Sequence, residues 1–153
     1  MERKMIRNLI LYIFIYVFLI GCESNNITGV CESNCFLNVT APELELNRDK
    51  IYELEWIDGY YQTFTTIDAE TGSDTYTMVY WDTDLGMWWQ GEIIKPINHS
   101  SYASEEDGIA HTILGPWDVM IDETITIYAT YVDNCGYEYL DSIKVKVVNE
   151  IQE

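Results

Sequence analysis

The chain has 153 residues and sets 26 Asp+Glu against 8 Lys+Arg, a formal charge of −18 at pH 7. A surface this acidic repels phosphate backbones and anionic headgroups, which excludes nucleic acid as a partner. Five Trp and 12 Tyr are too much aromatic material for a disordered polyanion and suit one folded domain of roughly 100 residues.

The N-terminus, MERKMIRN, carries Arg3, Lys4 and Arg7, and an uncharged apolar run, LILYIFIYVFLI, follows from Leu9 to Ile20. A basic start, a short apolar run and a small residue at the end form the pattern of a bacterial secretory leader. As a membrane span the run is too short, covering roughly 18 Å of a hydrocarbon core about 30 Å thick. Loss of the leader removes three basic residues and one acidic one, so the remainder is more acidic still.

The residues Leu19-Ile20-Gly21-Cys22 resemble the lipobox of bacterial lipoproteins. The resemblance implies a signal peptide over residues 1–21, diacylglyceryl transfer to the Cys22 sulfur, cleavage after Gly21 and acylation, typically with palmitate, of the new amino terminus. Several acyl chains make a stable anchor, because each buried methylene contributes about 0.8 kcal/mol. Glu23 in second place, rather than Asp, favours the outer membrane of the cell envelope and leaves the membrane face open. Residues 22–35 then read as a polar tether, in which C-E-S-N occurs twice, at Cys22 and at Cys31.

Residues 36–150 read as β structure. Ile51–Trp56 (IYELEW) sets Tyr52, Leu54 and Trp56 against Glu53 and Glu55. Thr75–Trp81 (TYTMVYW) sets Tyr76, Met78 and Tyr80 against Thr75 and Thr77, with Val79 and Trp81 making the second face apolar as well. Thr124–Val132 aligns Ile125, Ile127, Ala129 and Tyr131, and Ser142–Val147 alternates Ile143, Val145 and Val147 with Lys144 and Lys146. These are period-2 patterns, and no helical period competes with them. Weaker strands are expected at Phe36–Thr40, Met87–Gln90 and Ala110–Leu114. Turn signals separate the runs, among them Asp58-Gly59, Asp84-Leu85-Gly86, Glu105-Glu106-Asp107-Gly108 and Asp133-Asn134-Cys135-Gly136. Short strands punctuated in this way predict an all-β fold, an antiparallel sandwich.

The C-terminal block ETITIYATYVDNCGYEYLDSIKVKVV, Glu123 to Val148, resembles the closing strands of bacterial immunoglobulin-like and PKD-like modules. The resemblance covers this block and implies an immunoglobulin-like β-sandwich. In such a sandwich the first strand begins at the same end as the turn joining the last two. Cys35 is then expected near Cys135 and the two are expected to form a disulfide, with Cys31–Cys135 as second choice and a local Cys31–Cys35 loop as third. Closing a loop of about 100 residues contributes up to about 4.7 kcal/mol in the chain-entropy model.

Signals for chemistry are sparse. Cys31-x-x-x-Cys35 with His99 and His111 lacks a second paired half, so no zinc site is expected. The sequence holds no nucleophile elbow, no zincin motif and no phosphate-binding glycine loop, and no catalytic residue is assigned. Asp residues near turns suit calcium, but no EF-hand-type loop gathers them, so calcium stands as a secondary possibility and no other cofactor is expected. Trp88 and Trp89 are the candidate ligand-binding residues. On a strand one of them points inward and the other outward, where Tyr60, Tyr61, Trp81 and Trp117 are available to extend a sugar-stacking platform. The competing assignment places Trp56, one of Trp88 and Trp89, and Trp117 in the core. The function expected is a noncatalytic, membrane-anchored interaction or structural module with a protein or glycan partner. A carbohydrate-binding lipoprotein is the first alternative and a small envelope enzyme using His99 or His111 the second.

Overall fold

A computed structural model describes residues 35–57, 63–73 and 76–149. They belong to the compact unit Glu32–Glu153. The leader, Cys22, the tether, Cys31, Tyr60 and Tyr61 lie outside the described residues.

The fold is all-β. Its strands are β1 (Asn38–Thr40), β2 (Tyr52–Glu55), β3 (Thr65–Glu70), β4 (Met78–Thr83), β5 (Met87–Trp89), β6 (Glu92–Ile94), β7 (Ser100–Tyr102), β8 (Ile109–Leu114), β9 (Thr124–Val132) and β10 (Glu138–Val148). One 3-10 turn, Asp118–Met120, interrupts the path from β8 to β9. A three-stranded sheet has the order β1-β3-β8 and a five-stranded sheet the order β2-β10-β9-β4-β7, while β5 and β6 form a separate hairpin.

Alternation decides which side of each strand is buried. Val79, Trp81 and Thr83 of β4, Ile125, Ile127, Ala129 and Tyr131 of β9, and Val145 and Val147 of β10 face one core. Ile67 and Ala69 of β3, with Ala110 and Leu114 of β8, meet them from the three-stranded sheet. Each fully buried aliphatic side chain of this kind contributes about 1.5–3 kcal/mol relative to exposure. The edge between the sheets is tied by the Val39 N–H, which donates to Asp141 Oδ2 at 2.8 Å across β1 and β10.

Two expectations are corrected. The sheets are mixed rather than purely antiparallel, because β2 runs parallel to β10, with Tyr52 opposite Val145 and Leu54 opposite Val147. That pairing brings the inward Leu54 onto the same apolar face as Val147, which an antiparallel neighbour is not needed to achieve. The second correction concerns the indoles. Trp81 is the buried one, its Nε1–H donating to Ser101 Oγ at 2.9 Å. Trp56 and Trp117 pack partly buried against the core, while both Trp88 and Trp89 are exposed. Neither of the adjacent pair turns inward, because their hairpin stands apart from both large sheets.

Candidate ligand-binding surfaces

The Trp88–Trp89 pair owes its exposure to a tight hairpin. Trp89 lies opposite Glu92, Trp88 opposite Ile93 and Met87 opposite Ile94, so Gln90 and Gly91 alone make the connection. Both have positive φ, 48° and 93°, as a two-residue turn matched to the right-handed strand twist requires. Strand alternation sends Trp88 with Ile93 to one side and Trp89 to the other. The exposures are 69% for Trp88, 55% for Trp89 and 61% for Ile93, an apolar density unusual for a solvated hairpin. At the base of the hairpin a Cβ on Gly86 would meet Ile93 Cγ2 at 2.5 Å and the Ile94 carbonyl at 2.8 Å. Glycine at 86 therefore lets β6 fold close over the start of β5.

The hairpin is rooted at one end of β9. The Asp84 N–H donates to the Thr126 carbonyl at 3.2 Å, and the Thr126 N–H donates to Asp84 Oδ1 at 2.8 Å. The described chain begins at the other end of the same strand. There the Tyr131 hydroxyl donates to the Thr71 carbonyl at 2.9 Å, with the Phe36 carbonyl at 3.2 Å, and hydrogen-bonds with Cys35. Five residues of strand separate Thr126 from Tyr131, about 17 Å. Trp88 and Trp89 thus leave from the pole opposite Cys35.

Around Cys35 the side chains are closely interlocked. Tyr131 and Tyr139 stack at 4.8 Å, and the Tyr139 hydroxyl donates to Asp133 Oδ2 at 3.3 Å. Burial, then Cys35 and the Asp133 charge, push the Tyr131 hydroxyl pKa well up. Desolvation and Asp133 raise that of Tyr139. Asp133 Oδ1 accepts the N–H groups of Cys135 and Tyr137, each at 2.9 Å, closing the β9–β10 turn. The structure does not join Cys35 to Cys135: Cys35 engages Tyr131 instead, and Cys135 is disulfide-bonded. The second-choice partner, Cys31, is outside the described residues.

The outer face of the five-stranded sheet carries a feature that the sequence did not disclose. Tyr76 stacks on Tyr102 with ring centroids 4.4 Å apart and planes 13° from parallel. Tyr102 lies opposite Met78, Tyr80 opposite both Ser100 and Thr130, and Asp82 opposite Tyr128. Tyr102, Tyr80 and Tyr128 therefore step diagonally across β7, β4 and β9. Beside Tyr76 and Tyr80 lies an open groove of about 370 Å3, bounded across by Val132, Asp133 and Asn134.

The two histidines occupy different elements. The His99 carbonyl, just before β7, accepts the Trp81 N–H at 2.8 Å, and His111 of β8 pairs with Asp68 of β3 at 2.8 Å on the exposed side. Among the described residues, no three His, Cys, Asp or Glu side chains converge as a metal site would require. Among the turn acids, Asp107 Oδ1 accepts the Ile109 N–H at 3.0 Å. No family model, curated protein or solved structure matches the chain.

Proposed function

We propose that the chain is a lipoprotein of the bacterial cell envelope, anchored through acyl chains on Cys22 with the outer membrane favoured, whose immunoglobulin-like β domain is a noncatalytic interaction module. One observation carries the reading: two adjacent indoles, Trp88 and Trp89, stand exposed on a hairpin closed by a two-residue turn. Trp is also the side chain most enriched where binding energy concentrates.

The reading is tested with a photoreactive side chain at position 88 in cells, using exposed Val119 as the control position. A discrete crosslinked species from position 88, lost in a Trp89→Ala background, is expected. Products no more discrete than those from position 119 would count against it.

A second reading, carbohydrate binding through Trp88 and Trp89, is favoured by the indole faces left open to stacking. A glycan screen with and without calcium tests it, since binding through the hairpin would disappear in Trp88→Ala or Trp89→Ala.

A further inference from the structure

We infer that the diagonal of tyrosines on the five-stranded sheet is a platform for a neutral polysaccharide. This rests on the reading of the domain as a noncatalytic binding module, and it assigns the binding to a face other than the hairpin.

The register makes the row. Taking positions along β4 as the scale, Tyr102 is level with residue 78, Tyr80 with itself and Tyr128 with residue 82. Each ring is therefore the diagonal neighbour of the next, with spacings of about 7–8 Å, and the row covers roughly 15 Å of sheet. Exposures of 48%, 56% and 37% leave Tyr102, Tyr80 and Tyr128 open to solvent. The near-parallel stack of Tyr76 on Tyr102 restrains the terminal ring before any ligand arrives, which lowers the ordering cost of binding. Rings of one kind at regular spacing along a line match a ligand that itself repeats along a line. A ring also presents a flat apolar face with a polar tip, which suits a sugar's C–H face and its hydroxyl rim.

Charge narrows the ligand further. The cross-strand neighbours of Tyr80 are the hydroxyl residues Ser100 and Thr130. The carboxylate opposite Tyr128, that of Asp82, lies 3.3 Å from Lys95 Nζ, and Lys95 also donates to the Thr83 carbonyl. Asp82 beside the row is thus paired, while Asp133 at the groove accepts the Cys135 and Tyr137 N–H groups and the Tyr139 hydroxyl, and the long-range field of a molecule of charge −18 repels uronate, sulfate and phosphate polymers. An uncharged, hydroxyl-rich chain meets no such penalty. At the end near Tyr76, the groove offers the Asn134 amide for a hydroxyl contact.

The experiment uses the full chain in detergent, co-sedimented with the insoluble neutral polysaccharides cellulose, amylose and chitin, with insoluble pectate as the charged counterpart. Binding to at least one neutral polymer and not to pectate is expected. Tyr80→Ala and Tyr128→Ala should each weaken it about tenfold, a stacking contribution of ordinary size. Tyr80→Phe and Tyr128→Phe keep the ring and should retain most of the binding, which separates loss of a stacking face from damage to the sheet. Val119→Ala, an exposed position on the 3-10 turn and outside the row, should leave the binding unchanged. Sedimentation with pectate alone, with none of the polymers, or with loss only in Trp88→Ala would each overturn the proposal. The last of these outcomes would leave the hairpin reading standing, so the two fail separately.

Discussion

Tyr131 shows how one side chain can hold both ends of a fold. It is fully buried, and its hydroxyl meets the carbonyls of Phe36 and Thr71, tying β9 to the start of the domain and to the end of β3. Because burial, with Cys35 at Tyr131 and Asp133 at Tyr139, raises the pKa of both hydroxyls, the folded state keeps them protonated where the unfolded chain ionises, above about pH 10. The stabilisation is therefore complete below that pH and lost as pH rises through the folded-state values. Denaturant midpoints measured between about pH 8 and pH 12 are expected to fall on the alkaline side. Tyr131→Phe is expected to cost about 1–3 kcal/mol at neutral pH, through carbonyls left without the hydroxyl, and to flatten that fall. Thr112 is the opposite case. Its Oγ1 is buried on β8 without a hydrogen-bond partner, so Thr112→Val should stabilise the protein by about 1 kcal/mol in equilibrium unfolding.

At the scale of elements, the strands with strong alternation were legible. Thr124–Val132 is β9 as expected, and Ser142–Val147 lies towards the C-terminal end of the longer β10. β3 escaped because its inward residues are Thr65, Ile67 and Ala69, one large apolar side chain between a hydroxyl and a methyl, which leaves little hydrophobic contrast. β4 runs from Met78 to Thr83 rather than from Thr75 to Trp81: both of its faces carry apolar residues, and only packing selects Val79 and Trp81 as the inward set. The tyrosine row was illegible for a different reason. Tyr80, Tyr102 and Tyr128 become neighbours only through cross-strand register, and no local pattern encodes that.

The Trp hairpin is an element whose shape depends on glycine. A methyl group at Gly86 would press on the Ile94 carbonyl at 2.8 Å, and backbone gives way less readily than a flexible side chain. Gly86→Ala is therefore expected to displace β6 and speed hydrogen exchange across β5 and β6, while β9 keeps its protection. Equal loss of protection in both would mean that the hairpin is integral to the core. Trp88→Ala, by contrast, removes an exposed ring and should change stability by no more than about 0.5 kcal/mol.

For the molecule as a whole, the chemical division of its parts leads to the last prediction. The described domain supplies no long apolar helix for membrane attachment, and the acidic surface gives no attraction to anionic headgroups. Under the proposed reading, membrane attachment falls to acyl chains on Cys22. Lipid at that sulfur and cleavage after Gly21 are sequential steps, so blocking the lipoprotein signal peptidase with globomycin should make a lipidated, uncleaved precursor accumulate. Cys22→Ala should abolish lipid labelling and prevent that cleavage. Retention by the uncleaved apolar leader can still hold such a variant at the inner membrane, so the decisive measurement is lipid labelling together with precursor length, read on the same gel. Unchanged labelling in Cys22→Ala would place the acyl chains elsewhere. Unlabelled wild-type protein, cleaved at its normal position despite globomycin, would make residues 1–21 an ordinary secretory leader and leave the domain without an anchor.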